Sequence, residues 1–210
     1  MKFKDLIKKT SNLPCFTIGL LAAGENLAQV RLQVARWVKD GRLIKLHKGL
    51  YQSADPYIKI IPEKFTIANK IKSHSYVSLQ SALAYHDMIP EYVAEITSVT
   101  SGRPQIIGTP VGRFAYRHIK KNLFNGFRLT KLSSDQYAFI AVPEKALLDL
   151  VYLTSKGESE VFLEELRLQN LDKIDKKILR KIAHESGSPK LKRACSVIEK
   201  IVDKGEGVEL

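Results

Sequence analysis

Apolar residues recur at helical spacing along the first part of the chain and predict three helices there. The predicted helices cover residues 2–10, 17–23 and 26–39. Asn26 or Glu25 lies near the start of the third helix, where a polar side chain can accept hydrogen bonds from unpaired backbone N–H groups. The third helix has one apolar stripe, formed by Leu27, Val30, Val34, Trp37 and Val38.

A β-hairpin is predicted directly after the third helix. Gly41 ends that helix, because glycine tolerates the left-handed backbone that a C-terminal cap requires. Residues 43–46 and 50–52 are predicted strands, and His47-Lys48-Gly49 between them is typical of a hairpin connection. Helix, turn, helix and basic hairpin is the order of a winged helix-turn-helix. That motif places its second helix in the DNA major groove and its hairpin along the phosphate backbone.

The polar side of the third helix and the hairpin carry side chains that suit contact with DNA. Glutamine pairs with the edge of adenine and arginine with the edge of guanine, whereas the basic residues of the hairpin would follow the backbone. The alternative is a small packing unit with a solvated polar face. The residues expected to bind DNA are Asn26, Gln29, Gln33, Arg36, Lys39, Lys45, His47 and Lys48.

The hydrophobic pattern changes twice after the hairpin. Residues 62–71 and 78–86 are predicted helices, the second with Ser78 as its N-terminal cap. Residues 92–142 hold several short extended runs, which are separated by Gly, Pro, Asn and Ser. Helical spacing returns at Pro143 and continues almost to the end of the chain.

We therefore predict an α+β protein with two domains. Residues 1–55 form the winged helix-turn-helix. Residues 56–210 form a C-terminal α+β domain with a small, mainly antiparallel sheet and a helical C-terminus, and its apolar residues suffice for it to fold alone. The polar tail, residues 204–210, is expected to fray.

The charge of the chain favours a polyanionic partner. The formal net charge is +12, and basic residues exceed acidic ones by 10 to 4 in residues 1–55 but only by 12 to 11 in residues 151–210. Hydrophobic residues make up 44% of the chain, which excludes global disorder. A second basic cluster is either a solvated strand edge or an additional set of phosphate contacts, formed by Arg113, Arg117, Lys120 and Lys121.

No residue pattern indicates catalysis, a metal site or a cofactor. Cys15 and Cys195 are isolated, and the five histidines lack metal-ligand spacing. Glu144 near a helix start is better explained by its favourable interaction with the helix dipole than by a catalytic role. We expect a protein that is not an enzyme and needs no cofactor or metal. We also expect it to be cytoplasmic, since neither a signal peptide nor a membrane span is predicted.

Five segments of the sequence are distinctive in their order along the chain: DGRLIKLHKGLYQSAD, YVSLQSALAYHDMIPE, ITSVTSGRP, GRFAYRHIKKNLFNGF and AVPEKALLDLVYL. Together they resemble the AbiEi family of antitoxins, which belong to type IV toxin–antitoxin (abortive infection) systems. The resemblance covers about residues 3–200. It implies an N-terminal winged helix and a C-terminal α+β domain.

The resemblance implies two functions for such a chain. The winged domain would repress its own operon by binding inverted repeats in double-stranded promoter DNA. The C-terminal domain would counter a partner toxin similar to a nucleotidyltransferase, by direct contact or by an indirect route, and would support cooperative repression. The chain lacks a G-S-x-x-x-D-x-D nucleotidyltransferase motif, so it resembles the antitoxin and not the toxin.

Two other hypotheses stay open at this point. The chain could be a winged-helix transcriptional regulator whose second domain senses a small ligand, with no toxin partner. It could also be a nucleic-acid enzyme that uses the basic sheet. An adjacent reading frame similar to a nucleotidyltransferase would favour the antitoxin, whereas metal-dependent cleavage or nucleotide transfer by the pure protein would favour the enzyme.

Overall fold

The computed structural model describes residues 1–206, which contain nine α-helices and two β-sheets. The predicted α+β class is confirmed. The helices are α1 (Phe3–Thr10), α2 (Ile18–Leu21), α3 (Leu27–Lys39), α4 (Lys64–Ile71), α5 (Leu79–Tyr85), α6 (Pro143–Leu153), α7 (Glu160–Glu165), α8 (Lys176–Glu185) and α9 (Pro189–Glu206). The strands are β1 (Phe16–Thr17), β2 (Leu43–His47), β3 (Leu50–Ser53), β4 (Ser75–Val77), β5 (Ile96–Thr100), β6 (Gln105–Thr109), β7 (Gly112–His118), β8 (Phe127–Lys131) and β9 (Tyr137–Ala141).

Residues 1–55, called the N-terminal unit below, contain α1 to α3 and an antiparallel sheet of order β1-β3-β2. Asn26 caps α3, because its Oδ1 accepts hydrogen bonds from the N–H groups of Ala28 at 3.0 Å and Gln29 at 3.2 Å. After the last turn, Gly41 adopts a φ of +72°, which glycine tolerates better than other residues. The predicted start and end of this helix are therefore confirmed.

The N-terminal unit has its own buried apolar cluster. Phe3 of α1 packs edge-on against Trp37 of α3, with ring centroids 5.3 Å apart. Leu27 departs from the predicted stripe, since 42% of its surface is exposed. It shares a helix face with Val34 but lies two turns nearer the N-terminus, beyond the cluster. The buried members are Leu6, Phe16, Leu21, Val30, Val34, Trp37, Leu43 and Tyr51.

The second sheet has six strands in the order β6-β7-β5-β4-β9-β8. Antiparallel pairs are in the majority, as predicted, but β5–β7 and β4–β9 are parallel, so the sheet is mixed. Alternation of apolar residues identifies strands but not their direction. Here the β6–β7 hairpin returns the chain parallel to β5 and gives the sheet its first parallel pair.

Helix α6 lies at the centre of the main core. Every residue from Glu144 to Val151 is buried, and the helix packs against α5, α8 and α9. A helix that is buried on all sides shows no amphipathic face of its own. The polar side chains within this run must therefore find partners inside the protein.

The N-terminal unit packs against the rest of the chain through its hairpin. Leu46 and Leu50 of the hairpin, together with Cys15, are buried in the main core and not in the cluster of the N-terminal unit. Strand β2 also contacts β6 of the second sheet. The domain boundary near residue 55 stays a prediction, and a cut there would expose these three buried side chains.

None of the helices within residues 1–206 combines the length and the apolar character that crossing a bilayer requires. Lys204 belongs to α9, so the helix extends into the tail that was expected to fray. The remainder of that predicted tail, residues 207–210, lies outside the described residues.

Candidate nucleic-acid interface

The exposed face of α3 is defined by the angular positions of its residues. Successive residues are about 100° apart around a helix axis, and the buried Val30, Val34 and Trp37 mark the inner face. The side of the helix opposite these three residues is centred close to Ala28 and Leu32. Both of these residues are exposed.

The predicted base-contact residues of α3 do not all share this exposed face. Gln29, Arg36 and Lys39 are exposed, as expected. Gln33 is only half-exposed, and its Oε1 is buried without a hydrogen-bond partner among the described residues. It lies four residues before Trp37 and therefore only about 40° from it around the helix. Gln33 thus borders the buried face and is the least accessible of the four.

Two exposed residues of α3 were not among the expected contacts. Leu32 has 63% of its surface exposed at the centre of the outer face, where an apolar side chain can meet the methyl group of thymine. Arg31 is exposed beside it and brings a further positive charge. Their positions opposite the apolar stripe were visible in the sequence, but an exposed leucine is not by itself a sign of function.

The β2–β3 hairpin presents two lysines to solvent. Lys45 and Lys48 are exposed, and within the described part of the chain neither forms an ion pair. The register shifts between Lys45 and His47, and Gly49 adopts a φ of +77° in the turn. His47 is half-buried. The hairpin packs beside α3, so its two charges and the outer face of α3 belong to one unit.

The second basic cluster lies on the other sheet. Arg113 and Arg117 are exposed on β7, and Lys120 and Lys121 are exposed directly after it. The Nε atom of Arg113 lies 3.1 Å from Oε2 of Glu95, so its charge is already paired. These four residues therefore belong to a different sheet from the hairpin of the N-terminal unit, and only three of them carry a charge without an ion-pair partner among residues 1–206.

A buried polar network connects α6 with β4. The Nζ atom of Lys145 lies 2.5 Å from Oδ1 of Asp149 and donates to the carbonyl oxygen of Leu123 at 2.7 Å. The hydroxyls of Tyr76 and Ser78 each donate to Oδ2 of Asp149 at 2.8 Å. Ser78 was expected to cap α5 with its side chain, but its hydroxyl is used here instead. Burial raises the pKa of Asp149 despite the opposing effect of Lys145.

Glu144 lies in the first turn of α6, as predicted, but it is buried. Its Oε1 accepts a hydrogen bond from the backbone N–H of Asp175 at 2.7 Å, whereas Oε2 has no hydrogen-bond partner among the described residues. Burial raises the pKa of this carboxyl, and the hydrogen bond from Asp175 opposes the change. Within residues 1–206, no three His, Cys, Asp or Glu side chains form a group that could hold a metal ion.

No protein-family model and no curated protein matches the chain.

Proposed function

We propose that the N-terminal unit is a winged helix-turn-helix that binds double-stranded DNA. In this arrangement α3 lies in the major groove and the β2–β3 hairpin follows the phosphate backbone. The observation that carries the proposal is the outer face of α3, where Ala28 and Leu32 are flanked by Gln29 and Arg36. The exposed Lys48 in the adjoining hairpin turn adds a phosphate contact.

The composition of this face suits a helix that approaches base pairs closely. Ala28 and Ala35 are small and exposed, so the helix backbone can come near the groove floor. Arg36 can donate two hydrogen bonds to guanine, and Gln29 can pair with adenine. Lys39 in the last turn would reach the phosphates. The excess of basic residues in residues 1–55 supports the same partner.

We further propose that the DNA is the promoter of the chain's own operon, bound at inverted repeats, and that the chain is an antitoxin which counters a nucleotidyltransferase-like toxin. The support is the resemblance of the five ordered segments to AbiEi antitoxins. Three of these segments meet in the buried network: Tyr76 and Ser78 come from YVSLQSALAYHDMIPE, Leu123 from GRFAYRHIKKNLFNGF, and Lys145 and Asp149 from AVPEKALLDLVYL. The resemblance therefore includes the residues that hold the second sheet to α6.

Binding of the full chain to a labelled fragment of the DNA upstream of its own gene tests the first proposal. Fluorescence anisotropy should give an affinity at least about a thousandfold higher than for the same fragment with its repeats shuffled. The affinity for both fragments should fall steeply between 50 and 200 mM salt, at roughly the slope set by the number of phosphates contacted. Equal affinity for the two fragments would contradict a sequence-specific repressor.

The antitoxin proposal needs a separate measurement. The chain and the product of the adjacent reading frame are expressed from two foreign promoters, and growth is scored with and without the chain. Relief of growth arrest is expected. No relief, at a level of the chain confirmed by immunoblot, would contradict the antitoxin role without affecting the DNA-binding result.

A further inference from the structure

A groove of about 900 Å³ opens on the second sheet. It is lined by β7, by the C-terminal end of α6, by residues 91–95, which precede β5, and by Thr97 of β5. Leu79, Leu150 and Leu153 contribute an apolar wall. A volume of this size is typical of sites for small molecules.

The charged groups of the groove are paired with one exception. Arg113 pairs with Glu95, and Glu91 pairs with Arg167. Arg117 lines the groove and, among the residues that the structure describes, forms neither an ion pair nor a hydrogen bond through its side chain. The groove therefore offers one guanidinium group that is available to an anion.

The two ends of the groove differ in chemistry. In the parallel pair β5–β7, Val99 is opposite Arg117 and Ile96 is opposite Phe114, so the segment before Ile96 lies near Arg113 and not near Arg117. Arg113 and Arg117 are four residues apart, which is about 13 Å along a strand. Tyr92, with 87% of its surface exposed, lines the end near Arg113. A cationic end, at Arg117, and an aromatic end, at Tyr92, are thus separated by more than the length of a simple anion.

The apolar wall is held in an unusual conformation. Leu79 adopts a φ of +58°, in the left-handed region that a bulky side chain rarely enters. Thr97 fixes the backbone on both sides, since its Oγ1 donates to the carbonyl of Ser78 at 2.8 Å and accepts from the N–H of Ser81 at 3.1 Å. The Ser78 hydroxyl is anchored on Asp149. Strain that the surroundings hold in place is common where a ligand is bound, and here it fixes a side chain that lines the groove.

We propose that this groove binds a nucleoside 5′-phosphate. The phosphate lies against the guanidinium group of Arg117, which is exposed on β7. The base lies at the other end and stacks on Tyr92 beside the leucine wall. A nucleoside phosphate joins an anion to a planar ring through a sugar, which matches the two ends of the groove. The proposal does not rest on DNA binding by the N-terminal unit.

Isothermal titration of the full chain with AMP, GMP, CMP and UMP tests the proposal. At least one of the four should bind with a dissociation constant below about 1 mM, more tightly than its own nucleoside or inorganic phosphate. Failure of all four would overturn the proposal. Binding of inorganic phosphate as tight as that of the best nucleotide would also overturn it, because the base would then contribute nothing.

Three variants locate the site. Arg117→Ala should weaken nucleotide binding at least about tenfold, as expected for a lost charged hydrogen bond. Tyr92→Ala should weaken it about fivefold or more by removing the stacking platform. Arg128→Ala removes the same charge from exposed β8, at the opposite end of the sheet, and should leave binding unchanged. Equal losses in Arg117→Ala and Arg128→Ala would overturn the assignment to this groove, provided that circular dichroism shows all three variants to be folded.

Discussion

Lys145 and Asp149 form an ion pair inside the core, one turn apart on α6, with Nζ and Oδ1 separated by 2.5 Å. Both side chains are only 2% exposed. Lys145 also donates to the carbonyl of Leu123, and Asp149 also accepts from the hydroxyls of Tyr76 and Ser78. A buried ion pair is costly to break, because removal of one charge leaves the other without compensation.

Replacement of Asp149 by Asn should therefore destabilise the protein strongly. The change keeps the size of the side chain and an oxygen that can accept from Lys145, but it removes the carboxylate charge. The buried ammonium is then left without a counter-ion, at a cost of about 3–5 kcal/mol in the free energy of unfolding. Urea denaturation measures it. Asp203→Asn is the matched control, since Asp203 also pairs with a lysine, at 2.6 Å, but is 64% exposed. The control should cost less than about 1 kcal/mol, and equal losses in the two variants would contradict the role given to burial.

Glu144 should make stability depend on pH in a defined direction. Burial raises its pKa above the ordinary value of 4.5, so the folded protein binds this proton more tightly than the unfolded chain does. The free energy of unfolding therefore falls as pH rises from about the ordinary pKa through the raised one. Glu144→Gln keeps an oxygen for the N–H of Asp175 and cannot ionise, so it should lack this fall.

The measurement is the difference in unfolding free energy between Glu144→Gln and the unchanged protein from pH 4 to pH 8. The difference should move in favour of the variant as pH rises. Glu165→Gln, at an exposed position on α7, should show a constant difference over the same range. A constant difference for Glu144→Gln as well would mean that the fold does not raise the pKa of this carboxyl.

Local signals in the sequence predicted much of the N-terminal unit. Asn26 and Gly41 act within one turn of the helix that they delimit, so their roles follow from neighbouring residues alone. Gln33 was expected on the exposed face of α3, but it lies beside Trp37 and its Oε1 is buried. At the edge of an apolar stripe, the exposure of a side chain depends on which other segments pack against the helix. The neighbour of Gln33, Leu32, is by contrast fully on the outer face.

Contacts between distant segments account for what the sequence did not predict. The hydroxyl of Ser78 bonds to Asp149, 71 residues later, and no spacing rule links the two. The carbonyl of Leu123 accepts from Lys145, 22 residues later, and no spacing rule links these two residues either. Strand direction and the groove beside Arg117 likewise depend on how separate segments meet, which a residue pattern does not specify.

Arg36 is the residue of α3 from which we expect the largest loss of specific DNA binding. It is exposed, and a guanidinium group that donates two hydrogen bonds to guanine contributes about 1–3 kcal/mol of discrimination. Arg36→Ala should reduce promoter affinity by that amount and leave affinity for shuffled DNA nearly unchanged in anisotropy titrations. Arg128→Ala controls for the loss of one charge. Equal losses on both fragments would show that Arg36 contacts phosphate, and no loss on either would remove it from the interface.

Lys48 in the hairpin turn should behave differently, because it is expected to contact the backbone. Lys48→Gln should weaken binding to promoter and shuffled DNA alike and reduce the slope of log affinity against log salt by about one unit. Titrations at four salt concentrations provide the slope. Lys131→Gln, at an exposed position on β8, is the control and should leave it unchanged. A loss restricted to promoter DNA would place the hairpin turn in a groove instead.

DNA binding and relief of toxicity should be separable in the full chain. Separate fragments would expose Leu46 and Leu50, which are buried in the main core, so point substitutions are the cleaner test. The double variant Arg36→Ala/Lys48→Gln changes two exposed side chains and should fold normally. It should no longer bind the promoter at physiological salt, yet should still relieve growth arrest when the chain and the adjacent toxin are both expressed from foreign promoters. Loss of relief, at an unchanged level of folded protein, would show that the antitoxin role depends on DNA binding or on the N-terminal unit itself.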